Sequence, residues 1–242
     1  MQDTAPRLPT VSQPPGLFVT GTDTDVGKTV AAALIARTLR GAGCRVGVYK
    51  PVASGLASLD APGGDPSLLW EAAGRPRSLN EVCPQRFTAA IAPPRAAAAE
   101  GRAVDESLLR TGLAAWRDFD IVIAEAAGGL FSPLGELTLG VDLARDLGFP
   151  LVVVDSARLG AIGRTLATVT AARASGLRIA ACVLSEVRPF AGDPADPESA
   201  HWIARDSLAD LRRLLPGIPV TLLPHAGESF TPPIDWQALA AG

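Results

Sequence analysis

The stretch that decides the fold of this chain is residues 21–29, which read Gly21-Thr22-Asp23-Thr24-Asp25-Val26-Gly27-Lys28-Thr29. It follows an apolar run at residues 17–20 and opens a helix-like, alanine-rich segment at residues 28–40. Its end fits the phosphate-binding pattern G-x-x-x-x-G-K-[ST], although Gly21 stands one residue further upstream than that pattern asks. In such a loop, backbone N–H groups converge on phosphate oxygens, the lysine reaches the terminal phosphates and the threonine hydroxyl binds Mg²⁺. The stretch therefore predicts a nucleoside triphosphate site.

Short, nearly continuous apolar runs alternate with longer alanine- and leucine-rich segments along the chain. The runs predict strands at residues 17–20, 45–49, 121–124, 151–154, 179–184 and 220–223. The longer segments predict helices at residues 28–40, 66–73, 104–116, 143–147, 162–174 and 200–215. Strands without period-two alternation are typical of sheets covered on both faces. We therefore expect an α/β fold of the phosphate-loop NTPase type, with a doubly wound, mostly parallel sheet and helices on both faces. It forms one domain at residues 16–242, after a disordered extension at residues 1–15.

Composition limits the classes of partner. With 242 residues and 48% hydrophobic content, the chain can bury a sizeable core. The net charge of −3 argues against nucleic-acid binding through a basic field, and no apolar stretch is long enough to span a bilayer. The cysteines at positions 44, 83 and 182 form no C-x-x-C pair, which suits a reducing compartment. We expect a cytoplasmic protein that acts on small molecules.

Residues that directly follow the predicted strands are candidates for the site, because doubly wound sheets bind ligands beyond the carboxyl ends of their strands. Lys50 is either a second cation for phosphoryl transfer or a solvated edge lysine. Glu125, at the tip of a buried strand, suits Mg²⁺. Asp65 is either a further carboxylate ligand or a helix N-cap, and the sequence spacing does not separate the two. Residues 158–165 are either an anion-attracting helix start or an ordinary loop.

With these residues in view, the chain resembles the dethiobiotin synthetase family. Three motifs carry the resemblance: residues 21–29, Tyr49-Lys50-Pro51-Val52-Ala53-Ser54-Gly55, and Glu125-Ala126-Ala127-Gly128-Gly129-Leu130. The family's phosphate loop shares the extra residue after its first glycine. Looser similarity extends the resemblance over residues 16–224.

The resemblance implies an ATP-dependent ring closure of 7,8-diaminononanoate with CO₂, through a carbamate and a carbamic–phosphoric anhydride, in biotin synthesis. It implies three catalytic residues, Lys28, Lys50 and Thr24, and a Mg²⁺ cofactor held by Thr29, Asp65 and Glu125. The nucleotide would contact residues 21–29, Glu125 and Ser185. The implied substrate-binding residues are Thr24, Lys50, Ser54, Gly160, Ala161, Ile162 and Gly163. Family members are homodimers with shared active sites, so the same is expected here.

The chain departs from the family pattern in three places. Ala126 replaces a glycine, Gly163-Arg164 replaces an Asn-His pair, and Ser185-Glu186 replaces an Asn-Asp pair that reads adenine. We therefore expect relaxed base discrimination.

Two other functions compete with this interpretation. One is that of the amide-forming synthetases that activate a carboxylate of a cobalamin precursor, but these usually carry a glutaminase domain for which 242 residues leave no room. The other is that of a partitioning ATPase, whose signature lysine stands where this chain has Asp23.

Overall fold

A computed structural model of the protein describes residues 13–57 and 64–241. Most of the predicted disordered extension, residues 1–12, lies outside the described residues, as do residues 58–63 and 242. Gln13 and Pro15 already bond to the domain: Gln13 Nε2 donates to the Leu147 carbonyl at 2.8 Å, and the Pro15 carbonyl accepts from Val122 N at 3.0 Å. The predicted disorder of residues 1–12 stays a prediction.

Six parallel strands form the central sheet. They are β1 (Gly16–Gly21), β2 (Val46–Tyr49), β5 (Ile121–Gly129), β6 (Leu151–Ser156), β7 (Ile179–Ser185) and β8 (Val220–Leu223), and two further strands, β3 (Val52–Ala53) and β4 (Gln85–Arg86), pair separately. All six predicted strands are confirmed, and β5 runs further than predicted, to Gly129. Their residues are almost entirely buried, as expected for strands covered on both faces.

The strand order in the sheet is β2-β5-β1-β6-β7-β8. The chain first moves to one side of β1 and later to the other. Because crossovers between parallel strands are right-handed, opposite directions of travel put the connecting helices on opposite faces. The predicted doubly wound α/β class is confirmed. The order also brings the loops after β1, β2 and β5 to one edge.

Nine α-helices connect and cover the strands within the described residues. They are α1 (Lys28–Gly41), α2 (Asp65–Ala72), α3 (Leu79–Val82), α4 (Pro93–Ala99), α5 (Leu108–Thr111), α6 (Gly140–Leu147), α7 (Ala161–Ala174), α8 (Ala200–Leu214) and α9 (Trp236–Ala241). Five of the six predicted helices are confirmed to within three residues at each end. In the described part of the chain, no helix is long and apolar enough to cross a membrane.

The predicted helix at residues 104–116 is wrong as a single element. Residues 104–107 are not helical, α5 is a single turn, and a 3-10 helix follows at Gly112–Trp116. The buried Tyr49 hydroxyl donates to the carbonyls of Leu108 and Leu109, at 2.8 and 3.0 Å. It shares the Leu108 carbonyl with the Gly112 N–H, which also donates to it. Gly112 packs directly against the Tyr49 hydroxyl, where a larger residue would not fit.

The segment between β2 and β5 contains four short elements that the sequence did not predict. They are β3, β4, α3 and α4, with two, two, four and seven residues. Elements this short show no measurable periodicity. Their ends depend instead on tertiary bonds, such as the Phe87 N–H that donates to the Ala53 carbonyl at 2.9 Å.

Candidate active site

The loop between β1 and α1 has the conformation that a phosphate site requires. Gly27 takes φ +93° directly before α1, and a Cβ there would collide with the Ser185 side chain. The loop therefore needs glycine at this position. Lys28 is 8% exposed, and its Nζ donates to the Asp23 carbonyl at 2.7 Å. Backbone and lysine together enclose a space at the start of a fourteen-residue helix, whose positive end favours anions.

The surroundings of the Lys28 ammonium group favour a negatively charged ligand. Burial lowers the pKa of Lys28, and the charge of Lys50 acts in the same direction, while Glu125 opposes both. Lys50 is itself paired with Glu125 and Asp65, which offset part of its repulsion of Lys28. A polyphosphate would relieve that repulsion.

A cluster of charged and hydroxyl side chains lies beside the loop. Lys50 Nζ lies 2.5 Å from Glu125 Oε1 and 2.9 Å from Asp65 Oδ2. The Thr29 hydroxyl donates to the same Glu125 Oε1 at 2.7 Å. Parallel β1–β5 pairing, in the register Val19↔Glu125, puts Glu125 near the end of β1 and next to the start of α1. Four residues from distant parts of the sequence therefore converge on one point.

Burial and ion pairing set the protonation of this cluster. Burial acts to lower the pKa of Lys50, but Glu125 and Asp65 outweigh it and raise that pKa above its usual range. Burial raises the pKa of Glu125, whereas Lys50 lowers the pKa of Asp65 against the effect of burial. Asp65 is thus held as a carboxylate, with its side chain 54% exposed to the cavity.

The donor set of this cluster fits a magnesium ion. Thr29, Asp65 and Glu125 offer only hard oxygen ligands, which Mg²⁺ prefers. In the part of the chain that the structure describes, the buried Glu125 Oε2 has no hydrogen-bond partner, and an unpaired buried carboxylate oxygen is costly unless a cation or donor completes it. Across residues 13–57 and 64–241, no group of three His, Cys, Asp or Glu side chains could hold a metal. Any magnesium site here must therefore rely on the hydroxyl, and on ligand phosphates or water, for the rest of its ligands.

The two interpretations of Asp65 can now be separated. Gly64 holds the N-cap position of α2, and Asp65 is the first helical residue, without a side-chain capping bond. The N-cap interpretation is wrong, and the Asp65 carboxylate instead pairs with Lys50.

Two adjoining cavities open from this cluster. The first, of about 460 Å³, is lined by Lys28, Thr29, Lys50 and Asp65, among others. The second, of about 620 Å³, has apolar walls from Leu56, Ile91 and Pro93. Thr24 and Ser54 line both cavities. The Ser54 hydroxyl donates to the Ile91 carbonyl at 2.6 Å, so its lone pairs remain as acceptors toward the cavities.

The remaining predicted substrate residues lie elsewhere on the same edge of the sheet. Gly160 precedes α7 with φ +87°, and Ala161, Ile162 and Gly163 form its first turn. Neither cavity is lined by them. Gly163 is exposed, and a Cβ there would meet nothing within 4 Å. Within one chain, these four residues are separate from the lysine cluster.

Two of the three departures from the family pattern, Ala126 and Ser185-Glu186, have clear surroundings. Ala126 is fully buried in β5 at an ordinary φ, and the positive φ of this loop falls on Gly128, so alanine fits without strain. Ser185 is 3% exposed and packs against Gly27. Glu186 accepts backbone N–H groups from Phe190 at 2.7 Å and His225 at 3.0 Å.

The sequence analysis missed the roles of Asp155 and Arg164. Asp155 is completely buried and accepts from the Thr22 hydroxyl at 2.6 Å and from Arg164 Nε at 3.1 Å. A carboxylate at the end of an apolar strand was the available signal, because the same signal identified Glu125.

Comparisons with known proteins agree with this geometry. Residues 15–216 match the family described as an AAA domain. A protein of Rhodopirellula baltica named ATP-dependent dethiobiotin synthetase BioD is 46% identical over 84% of this chain and 81% of its own length. Proteins of the same name from Phenylobacterium zucineum and Bacillus cereus are 36% and 40% identical, over 93% and 89% of this chain and 94% and 86% of theirs. The phosphate loop, the lysine–carboxylate cluster and these relatives lead to one conclusion: the chain belongs to the ATP-dependent dethiobiotin synthetase family.

Proposed function

We propose that this protein closes the ureido ring of dethiobiotin from 7,8-diaminononanoate, CO₂ and ATP. One observation carries the proposal. Lys28 and Lys50 lie close to three side chains with oxygen ligands for a metal, beside a phosphate loop and an apolar-walled cavity. The cavity offers a place for a diamine, and the loop offers a place for the triphosphate. Membership of the family supplies the substrate class.

The reaction divides into three steps that need no covalent bond to the protein. One amine of the substrate adds to CO₂ and releases a proton, which gives a carbamate. A carbamate oxygen then attacks the γ-phosphorus of ATP, which expels ADP and leaves a carbamic–phosphoric anhydride. The second amine attacks the carbonyl carbon of that anhydride, expels phosphate and closes the five-membered ring. Positioning and charge stabilisation are the protein's contribution.

Lys28 and Lys50 supply the positive charge for these steps. Lys28 contacts the terminal phosphates, where negative charge shifts during transfer. Lys50, held as a cation by Glu125 and Asp65, lines the first cavity and neutralises the carbamate. Thr24 lines both cavities and hydrogen-bonds the reacting groups, while Ser54 accepts from a substrate amine. Among the remaining loop residues, the backbone N–H groups of Thr22 and Thr24 already donate to the Val154 carbonyl and to Asp23 Oδ1, so those of Asp23 and of residues 25–27 bind phosphate.

Thr29, Asp65 and Glu125 would hold the magnesium ion. When bound, Mg²⁺ supplies positive charge to the phosphate oxygens. The free Glu125 Oε2 and the exposed part of Asp65 are the acceptors that support this assignment.

We place the base of the nucleotide on the side of the phosphate loop that faces β6 and β7. A third cavity, of about 530 Å³, lies there between Val26, Ser185, Val187 and Phe190. Its apolar side chains suit the faces of a flat ring, whereas Ser185 is buried and Glu186 is engaged by backbone donors. The site therefore accepts the base mainly by shape, which allows bases other than adenine.

The protein is further proposed to be a cytoplasmic homodimer. Gly160 to Gly163 lie outside the substrate cavity of their own chain, so in the dimer they serve the partner's site, where their backbone N–H groups bind the substrate carboxylate. Leu159, beside them, is 79% exposed, which suits burial against a second copy. Free thiols at Cys44, Cys83 and Cys182 suit a reducing compartment. Sedimentation that shows a fully active monomer at assay concentration would contradict the shared site.

The direct test is ATP-dependent fixation of labelled bicarbonate in the presence of 7,8-diaminononanoate. The proposal expects label in a cyclic urea product identified by mass, with one ADP formed per ring. ATP binding without any labelled product would reject the activity. ADP formed only with an added carboxylate and an ammonia source, without incorporation of the label, would point to an amide-forming synthetase instead.

A further inference from the structure

A buried charge pair lies behind the phosphate loop, at the carboxyl end of β6. The Asp155 side chain is fully buried, and both of its oxygens accept from Arg164 Nε at 3.1 Å. Arg164 stands near the start of α7, and its side chain is 28% exposed. A buried carboxylate is costly unless it is paired and hydrogen-bonded. Arg164 is therefore the charged partner that compensates the burial of Asp155.

Asp155 connects this pair to the phosphate loop. The Thr22 hydroxyl donates to Asp155 Oδ1 at 2.6 Å, and Thr22 N donates to the Val154 carbonyl at 3.0 Å. The Ser156 N–H also donates to Asp155 Oδ1, at 2.8 Å. Hydrogen bonds to a charged acceptor are stronger than neutral ones, so the position of Thr22 depends on Asp155.

The same guanidinium fixes the loop that leads into α7. Arg164 Nη1 donates to the Leu159 carbonyl at 3.2 Å, and Nη2 donates to the Ser156 carbonyl at 3.4 Å. Gly160 has φ +87°, and a Cβ there would lie 2.9 Å from Arg164 Nη1. Only a planar fork reaches Asp155 and two carbonyls at once; the single ammonium of a lysine does not.

We propose that Arg164 is a positioning residue that holds two parts of the active site together. Through Asp155 it sets Thr22 at the start of the phosphate loop, and through two carbonyls it sets the turn that presents Gly160 to Gly163. The second part rests on the proposed function, which assigns those residues to the substrate carboxylate; the first part rests on the contacts alone. Arg164 takes the place of the family's histidine, yet its guanidinium is directed inward, onto Asp155 and the two carbonyls.

The test compares Arg164→Lys and Thr22→Val with the matched control Arg173→Lys, an exposed arginine in the last turn of the same helix. KM for ATP, KM for the diamine, kcat and the thermal midpoint are measured for each. Thr22→Val should raise KM for ATP by about tenfold and leave KM for the diamine unchanged, because it removes one charge-assisted bond. Arg164→Lys should raise both KM values by a similar factor, whereas Arg173→Lys should match the wild type.

A double variant tests whether the two residues act through Asp155. If they do, Thr22→Val combined with Arg164→Lys raises KM for ATP by clearly less than the product of the single effects. Arg164→Lys with a lowered thermal midpoint but unchanged KM values would overturn the proposal, since that is the result of a purely structural pair. Fully multiplicative effects on KM would overturn it as well.

Binding of a non-hydrolysable ATP analogue, measured by calorimetry, separates this test from the proposed function. If the wild type makes no cyclic urea, the proposed function fails. The link between Arg164 and Thr22 is then still tested by the analogue's Kd: weaker binding to Arg164→Lys than to Arg173→Lys supports it, and equal binding refutes it.

Discussion

The two sides of the phosphate loop use carboxylates in opposite ways. On the side of β2 and β5, Glu125 keeps one oxygen without a partner, and Lys50 and Asp65 line a cavity. On the side of β6 and β7, Asp155 and Glu186 accept donors from the protein with both oxygens. The side chains on the side of β2 and β5 are available to bind a ligand. Those on the side of β6 and β7 hold the backbone around the phosphate loop.

This difference shows how the role of a polar residue at the end of a buried strand can be inferred. Position alone does not separate a ligand from a support, because both sides lie at the same edge of the sheet. What separates them is whether the protein itself uses up the hydrogen-bonding capacity of the side chain. On that criterion we propose that the chemistry takes place between β1 and β5 and that the side of β6 and β7 provides shape.

The largest expected effect tests the side assigned to chemistry. Lys28→Ala should lower kcat by about 10²–10³, by analogy with removal of a preorganised electrostatic group. Initial rates of ADP and cyclic urea formation at saturating substrates measure it. Activity within a few-fold of wild type would show that Lys28 does not meet the transferred phosphate.

A second prediction compares the two carboxylates of the cluster. Asp65→Asn should raise the Mg²⁺ concentration needed for half-maximal rate by at least about tenfold. Its stability should change little, because its side chain is 54% exposed. Glu125→Gln should do the same and also lower the free energy of unfolding by about 3 kcal/mol, because it breaks a fully buried ion pair.

Metal titration and denaturant unfolding of both variants distinguish these outcomes. A wild-type Mg²⁺ titration curve for Glu125→Gln would remove Glu125 from the ligand set. Equal loss of stability in both variants would mean that Asp65 is structural as well.

A third prediction concerns the side assigned to shape. Because Ser185 packs against Gly27 and Glu186 holds backbone N–H groups, neither residue is positioned to read a base edge. We expect kcat/KM for ATP to exceed that for CTP and GTP by less than about a hundredfold, or roughly 2.7 kcal/mol. A larger preference, measured with all three triphosphates, would mean that other contacts read the base.

The smallest expected effect concerns Tyr49, which belongs to neither side of the phosphate loop. Tyr49→Phe removes a buried hydroxyl that donates to the carbonyls of Leu108 and Leu109, while the ring keeps its packing. The free energy of unfolding should fall by about 1 kcal/mol, with no change in KM for ATP. Denaturant unfolding and steady-state kinetics measure the two quantities. A raised KM for ATP would show that α5 takes part in the site.

The strands and the lysine cluster could be predicted because local sequence determines them. Uninterrupted apolar runs identify buried parallel strands, and Lys50 and Glu125 stand directly after such runs. The break at Gly112 could not be predicted, since Gly112 packs there against the Tyr49 hydroxyl, some sixty residues earlier in the chain. Gly64 as the N-cap of α2 and the inward direction of the Arg164 side chain likewise depend on the folded structure and not on local sequence. The roles assigned to the site residues stay predictions until variants are measured.

The most direct test of the account follows an oxygen atom. If a carbamate oxygen attacks the γ-phosphorus, ring closure must leave that oxygen in the released phosphate. Turnover with ¹⁸O-labelled bicarbonate, quenched before the label exchanges with water, should therefore give phosphate with one ¹⁸O atom per ring closed. Cyclic urea formed together with unlabelled phosphate would contradict the account, because ATP would then be cleaved by water and not by the carbamate.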